Sequence, residues 1–258
     1  MEDTYCIHDE GRFTGVFDGH GGSGVSKFLS ESIYAKIKRH LAREDNDNSM
    51  ILRPPSFPAL ASVVASMSAA FDEVEQEVLQ RDEFQWQGST AVAVYVHEDC
   101  STSERARTLV AANIGDSRAI MGRGSVAIDL TRDHKPDDEL ERKRITDMGE
   151  TVEWDEYCQV SRVKNLSLSR AVGDRFAKPV VSGKVEIQVF PVNANNRDGR
   201  RVSGGEDEDG NEDDFIVLAS DGLWDVMTSQ DCVDFVCKNL APPSSQTPTE
   251  MQHYKVTG

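Results

Sequence analysis

The sequence is short of basic residues, of cysteine pairs and of long apolar runs. Lys and Arg total 28 against 45 Asp and Glu across 258 residues, a net charge of −17. That deficit of cations argues against a broad nucleic-acid footprint, which needs a basic face. It also argues against docking on anionic membrane surfaces. No stretch approaches the ~18 consecutive apolar residues of a transmembrane helix. Met1-Glu2-Asp3 opens no signal-peptide pattern. The five cysteines (Cys6, Cys100, Cys158, Cys232, Cys237) are odd in number and form no CxxC pair. No zinc-ligand spacing is present, and a reduced intracellular protein, cytoplasmic or nuclear, is the expectation.

Glycine and aspartate are present, and they are placed at strand ends. The apolar run Phe13–Phe17 reads as a short buried strand, and Asp18-Gly19-His20-Gly21-Gly22 follows it at once. A second such run, Phe215–Ala219, is followed by Asp221-Gly222-Leu223-Trp224-Asp225. Two strand ends far apart in sequence each deliver Asp-Gly, at the edge where layered proteins keep their chemistry.

Apolar residues at helical spacing predict helices over Val25–Leu41 and Pro58–Gln80, with Glu44–Pro55 as a loop between them. Short β-rich runs follow: Ser89–His97, Thr108–Ile114, Arg118–Met121 and Ser125–Leu130. A helix is expected over Asp137–Met148, capped by Asp137 or Asp138 and stopped at Gly149, and a strand over Thr151–Trp154. This order lacks βαβ alternation, so an α+β fold with antiparallel sheets covered by helices is expected. Residues 193–214 are almost wholly polar and read as a mobile acidic insertion within one domain spanning 1–258. That run does not fit an EF-hand loop, which needs Gly at its sixth and Glu at its twelfth position.

Gly19-His20-Gly21-Gly22-Ser23-Gly24 formally matches GxGxxG. No apolar strand precedes the acidic pair Glu44-Asp45, however, and Asp18 would face a pyrophosphate with like charge, so a dinucleotide site is disfavoured. His20-Gly21-Gly22 echoes a lipase oxyanion motif, yet no GxSxG elbow is present. The carboxylates Glu2, Asp3, Asp18, Asp116, Asp221 and Asp225 all lie beside predicted strands or turns. Each alone is a common turn or capping residue. Together they suit an oxygen-ligand site for divalent ions.

Seven pieces then occur in family order: Met1-Glu2-Asp3, Phe17–Gly22, Gly88–Ala91, Ala112–Ala119, Leu130–Pro136, Leu168–Asp174 and Leu218–Met227. On these the chain resembles the metal-dependent Ser/Thr protein phosphatases of type 2C, the PPM family. The resemblance implies a β-sandwich of two antiparallel sheets flanked by helix pairs, with two Mg²⁺ or Mn²⁺ ions at one edge. By position it implies that Asp18 bridges both ions, Gly19 offers its carbonyl to one, Asp221 binds the other, and Glu2 holds a metal-bound water. Asp116 and Asp225, with Asp221, match a weaker third-ion site. His20 matches the general acid, beside a metal-bridging hydroxide that attacks phosphorus. Ser169-Arg170 and Asp133-His134 read as architectural. Phosphoserine or phosphothreonine proteins are the expected substrates and a monomer the expected state.

The sequence departs from the family at both ends. Members carry an arginine three residues before the Met-Glu-Asp methionine, and a last Asp-Asn motif followed by a final strand. The expectation is therefore a chain lacking its first and last strands, with Phe215–Ala219 and Val92–Val96 left as adhesive edges. An inactive phosphatase-like binding module is the alternative function.

Overall fold

The structure, a computed structural model, describes residues 1–47, 58–99, 106–192 and 215–240. The chain opens with strands β1 (Thr4–His8), β2 (Phe13–Phe17) and β3 (Gly19–His20), then helices α1 (Gly24–Asp47) and α2 (Leu60–Gln80). A meander follows: β4 (Gly88–Ser89), β5 (Ala91–Asp99), β6 (Ala106–Ile114), β7 (Arg118–Arg123) and β8 (Val126–Asp129). Helix α3 (Glu139–Asp147) leads to β9 (Glu153–Asp155), β10 (Val160–Arg162), β11 (Val172–Gly173) and β12 (Glu186–Val192). The last elements are β13 (Phe215–Ala219), the one-turn α4 (Asp221–Trp224) and α5 (Ser229–Leu240).

A five-stranded sheet runs β1-β2-β5-β6-β12, and a three-stranded sheet runs β13-β7-β8; every pairing in both is antiparallel. Strands β5 and β6 carry unbroken apolar runs, Ala91–Val96 and Leu109–Ala112, because both faces are covered there. Ala91, Ala93, Tyr95, Val110, Ala112 and Ile114 face α1 and α2. Their alternates Val92, Val94, Leu109 and Ala111 meet Ala119, Met121 and Leu130 between the two sheets. Ile120 on the outer face of β7 packs with Trp224, Cys232 and Val233 of the last helices. The layers are therefore helix, sheet, sheet, helix. Among the described residues the second flank carries α5 and the single turn α4.

Helix α2 places Val63, Met67, Ala70, Phe71, Val74 and Val78 on one buried stripe at three- and four-residue steps. Truncating Phe71 to Ala would open a cavity costing about 3–5 kcal/mol. Helix α3 begins where the Asp138 carboxylate accepts from the Leu140 and Glu141 amides, and the left-handed Gly149 follows its end.

Several expectations change. Helix α1 continues through Glu44 to Asp47 rather than stopping before Glu44; its apolar stripe ends near Leu41, but the polar tail keeps helical hydrogen bonding. The strand expected at Thr151 starts at Glu153. Val92–Val96 is no edge, since β5 lies between β2 and β6, whereas β13 has β7 as its neighbour on one side and none on the other among the described residues. The acidic run 193–214 and residues 48–55 of the expected loop lie outside the described residues. No described helix is long and apolar enough to cross a membrane.

Candidate active site

Strand β2 hands its end directly to Asp18. The Asp18 amide donates to Thr90 Oγ1 at 3.1 Å, and the Thr90 amide donates to the Asp18 carbonyl at 2.9 Å. Thr90 Oγ1 in turn lies 2.6 Å from Ser117 Oγ. The ends of β2 and β5 and the β6–β7 turn are thus laced together. That turn carries Gly115 at φ +104, where a Cβ would come 2.7 Å from the Thr90 methyl, and Asp116 follows it. Asp221 arrives from the other sheet as the first residue of α4, after β13. The N-terminal segment closes over Gly19: Ser26 Oγ donates to the Glu2 carbonyl at 2.5 Å, and a Cβ on Gly19 would sit 2.7 Å from that carbonyl. Ser220 Oγ donates to Asp3 at 3.2 Å.

A cavity of about 400 Å³ is lined by Asp18, His20, Thr90, Asp116 and Asp221 together with Arg162 and Leu166–Leu168. Its electrostatics are unbalanced toward the negative. Burial, then the charges of Asp3 and Asp221, push the Asp18 carboxyl up to about 8. Burial and Asp221 push Asp116 up to about 7, with Lys135 opposing. Neither Asp18 nor Asp221 has a lysine or arginine partner among the described residues. His20 Nε2 lies 2.7 Å from Asp174 Oδ2. Burial lowers the His20 pKa, but the Asp174 hydrogen bond and charge, with Asp18 and Asp116, raise it further, and the net shift is upward.

As placed, no three His, Cys, Asp or Glu groups among the described residues already form a cluster at metal-ligand spacing. The donor chemistry nonetheless fits hard divalent ions. Three carboxylates, all oxygen donors, share the cavity, and burial first, then their mutual repulsion, lets Asp18 and Asp116 hold protons near neutral pH. A cation would relieve that repulsion.

The protein phosphatase 2C family model matches residues 7–252. The chain belongs to the protein phosphatase 2C family. It is 33% identical over 244 residues to probable protein phosphatase 2C 59 of Arabidopsis thaliana, covering 92% of this chain and 65% of that protein. It is 33% identical over 242 residues to probable protein phosphatase 2C 45 of Oryza sativa subsp. japonica, covering 93% and 71%. The chain thus spans about two thirds of these relatives' lengths. A serine-threonine phosphatase 2C from Toxoplasma gondii superposes with a TM-score of 0.66 at 21% identity, covering 88% of this chain and 72% of that one, which bears on the fold.

Within this phosphatase 2C fold the residues singled out from sequence separate into groups. Asp18, His20, Asp116 and Asp221 line one cavity. Gly19 and Glu2 meet through the backbone beside it. Asp225 does not line the cavity: its side chain is 60% exposed and pairs with Lys135 at 3.4 Å. Asp133 forms a two-point pair with Arg118, and Ser169 and Arg170 both bond Glu141. His134 is fully buried, with its Nδ1 accepting from the Gly115 amide at 3.1 Å. Asp3, counted in the sequence among the candidate carboxylates but given no role by the resemblance, bears by its charge directly on Asp18. One role escaped the sequence reading. Asp174 ends a family motif, but only the fold brings it to His20.

Proposed function

We propose that this chain is a metal-dependent protein serine/threonine phosphatase. The observation that carries the reading is the convergence of Asp18, Asp116, Asp221 and His20 on one cavity of a phosphatase 2C fold. Asp18, Asp221 and the Gly19 carbonyl would hold two Mg²⁺ or Mn²⁺ ions, with Glu2 contributing through water. Asp116 and Asp225 would serve a weaker third ion. When bound, such ions neutralise phosphoryl charge and make water a stronger nucleophile near neutral pH.

The chain's own residues supply the rest. Asp18 is fixed through both of its backbone groups by Thr90, so its carboxylate is oriented before any ligand arrives. His20, carrying a proton, lines the same cavity and donates it to the departing serine or threonine oxygen. Leu166 and Leu168 form the apolar part of the lining. No thiol lines the cavity among the described residues, so the reading involves no cysteinyl-phosphate.

A second reading, an inactive binding module, is favoured by one observation: the carboxylates as placed do not stand at ligand spacing. Calorimetric Mn²⁺ titration combined with phosphate release from a phosphothreonine peptide separates the two. Binding with turnover supports the phosphatase; a folded protein with neither supports the module.

A further inference from the structure

We propose that Asp174 is the positioning residue for His20: its carboxylate accepts a hydrogen bond from the Nε2–H, fixes the ring, and leaves Nδ1 as the nitrogen that exchanges a proton with the reacting oxygen. The inference rests on the reading of His20 as proton donor.

The pair is built in an unusual way for a structural contact. Asp174 Oδ2 lies 2.7 Å from His20 Nε2, with the Asp174 side chain 1% exposed and the His20 side chain 29% exposed. Asp174 adopts φ 48, ψ 50, a left-handed conformation that residues with a Cβ rarely hold. Its second oxygen, Oδ1, is buried with no hydrogen-bond partner. A buried carboxylate kept for stability normally has both oxygens satisfied. Here strain and an orphaned acceptor are tolerated around one contact, and that contact is to a cavity residue.

The room for the pair comes from Gly88. A Cβ there would lie 2.4 Å from Asp174 Oδ2 and 2.5 Å from His20 Nε2. The segment carrying Asp174 is anchored independently of its carboxylate. The Asp174 amide donates to the Gln87 carbonyl at 2.9 Å, the Gly173 amide to Glu75 Oε2 at 2.8 Å, and Lys178 Nζ to the Ala171 carbonyl at 2.6 Å. Lys178, whose charge acts on Asp174, pairs with Glu75 at 2.7 Å. The charges acting on His20 are Asp174, Asp18 and Asp116, all negative, and Arg162, which also lines the cavity, is taken by Asp155 at 2.8 Å. Asp174 is the one of these carboxylates in hydrogen-bond contact with the ring.

In the proton transfer, a water oxygen forms a new bond to phosphorus as the bond from phosphorus to the serine or threonine oxygen breaks, and the Nδ1 proton passes to that departing oxygen. The ring is left neutral with its proton on Nε2, the tautomer that Asp174 binds. Without the carboxylate the ring is free to turn or to protonate at the wrong nitrogen.

The test uses Asp174→Asn, His20→Ala and the double variant. Asp174→Asn should lower kcat on a phosphothreonine peptide by roughly 10²–10⁴-fold with KM nearly unchanged. On p-nitrophenyl phosphate, whose leaving group needs little protonation, the loss should be several-fold at most. In the His20→Ala background Asp174→Asn should add nothing. Nitrogen-15 imidazole spectra of the metal-free protein should show His20 protonated at Nε2 in the wild type and a tautomer mixture in Asp174→Asn. Gly88→Ala, whose methyl displaces the pair while both His20 and Asp174 keep their own side chains, should reproduce the leaving-group selectivity. Additive losses in the double variant, equal losses on both substrates, or a wild-type ring unprotonated at Nε2 would overturn the positioning role. Unchanged turnover of His20→Ala would instead refute the proton-donor reading beneath it.

Discussion

Glu141 lies outside the cavity, yet it ties α3 to the segment that forms one cavity wall. It is 1% exposed. Its Oε1 accepts from Arg170 Nε at 3.0 Å; its Oε2 accepts from Arg144 Nη2 at 2.9 Å and from Ser169 Oγ at 3.0 Å. Arg144 also donates to the carbonyls of Ser169 and Val180. Glu141→Ala leaves two guanidinium groups around an empty space. Breaking a buried ion pair from one side costs about 3–5 kcal/mol. The side chains of Arg144 and Arg170 are 27% and 13% exposed, so water can partly rehydrate them. The lower end, about 3 kcal/mol, is therefore expected, which is roughly 6–12 °C in melting temperature for a domain of this size. Glu141→Gln keeps the shape and the Ser169 bond and should lose less.

The same site predicts a pH dependence. Burial pushes the Glu141 carboxyl up, but hydrogen bonds from Arg170 and Arg144 pull it down further, to about 2 from an ordinary 4.5. A folded-state value below the unfolded one means that the contribution is complete above about 4.5 and is lost as pH falls through about 2. The melting gap between wild type and Glu141→Gln should thus be constant near neutrality and close in acid. Scanning calorimetry from pH 7 to pH 3 measures it. A Glu141→Ala protein that melts within about 2 °C of wild type, where the ion-pair cost predicts far more, would refute the reasoning. So would a gap that widens in acid.

Asp18→Asn should stabilise the metal-free protein. Asp18 is raised from 3.8 to about 8, so its penalty on the fold is absent in acid and grows as pH rises between those values. The variant's melting gain should follow that rise, and the Mn²⁺-induced upshift of the wild type should be lost in it; a lower metal-free melting temperature would contradict the crowding argument. Gly21 sits at φ +69 with a would-be Cβ 2.3 Å from the Trp86 carbonyl. Gly21→Ala should therefore lose about 1–3 kcal/mol, visible in a urea melt, and an unchanged midpoint would show that the loop adjusts freely.

Much of the site was legible because it is local. A buried strand ending in Asp-Gly identifies itself twice, at Asp18 and Asp221, and the fold brings both ends to one cavity. The helices were legible from three- and four-residue apolar spacing, and β5 and β6 from runs covered on both faces. Strand β12 was not, because its alternation Glu186-Ile187-Gln188-Val189 is brief and Pro191 interrupts the run, as suits a strand at a sheet edge. Asp225 was named through the family resemblance alone, and in this structure its side chain pairs with Lys135, distant in sequence, instead of lining the cavity. The pairing of Asp174 with His20 could not be found from pattern, although Asp174 ends a family motif. The two residues are 154 positions apart, and only the fold brings them together.

The central claim is that the Asp18 carboxylate cluster makes this chain a metal-dependent phosphatase. Phosphate release from a phosphothreonine peptide, followed across a Mn²⁺ titration for wild type and Asp18→Asn in parallel, tests it most directly. Saturable, chelator-sensitive turnover in the wild type, with loss of at least roughly 10²-fold in the variant, is the predicted result. Turnover that persists in chelator, or that survives Asp18→Asn at a similar rate, would contradict the account.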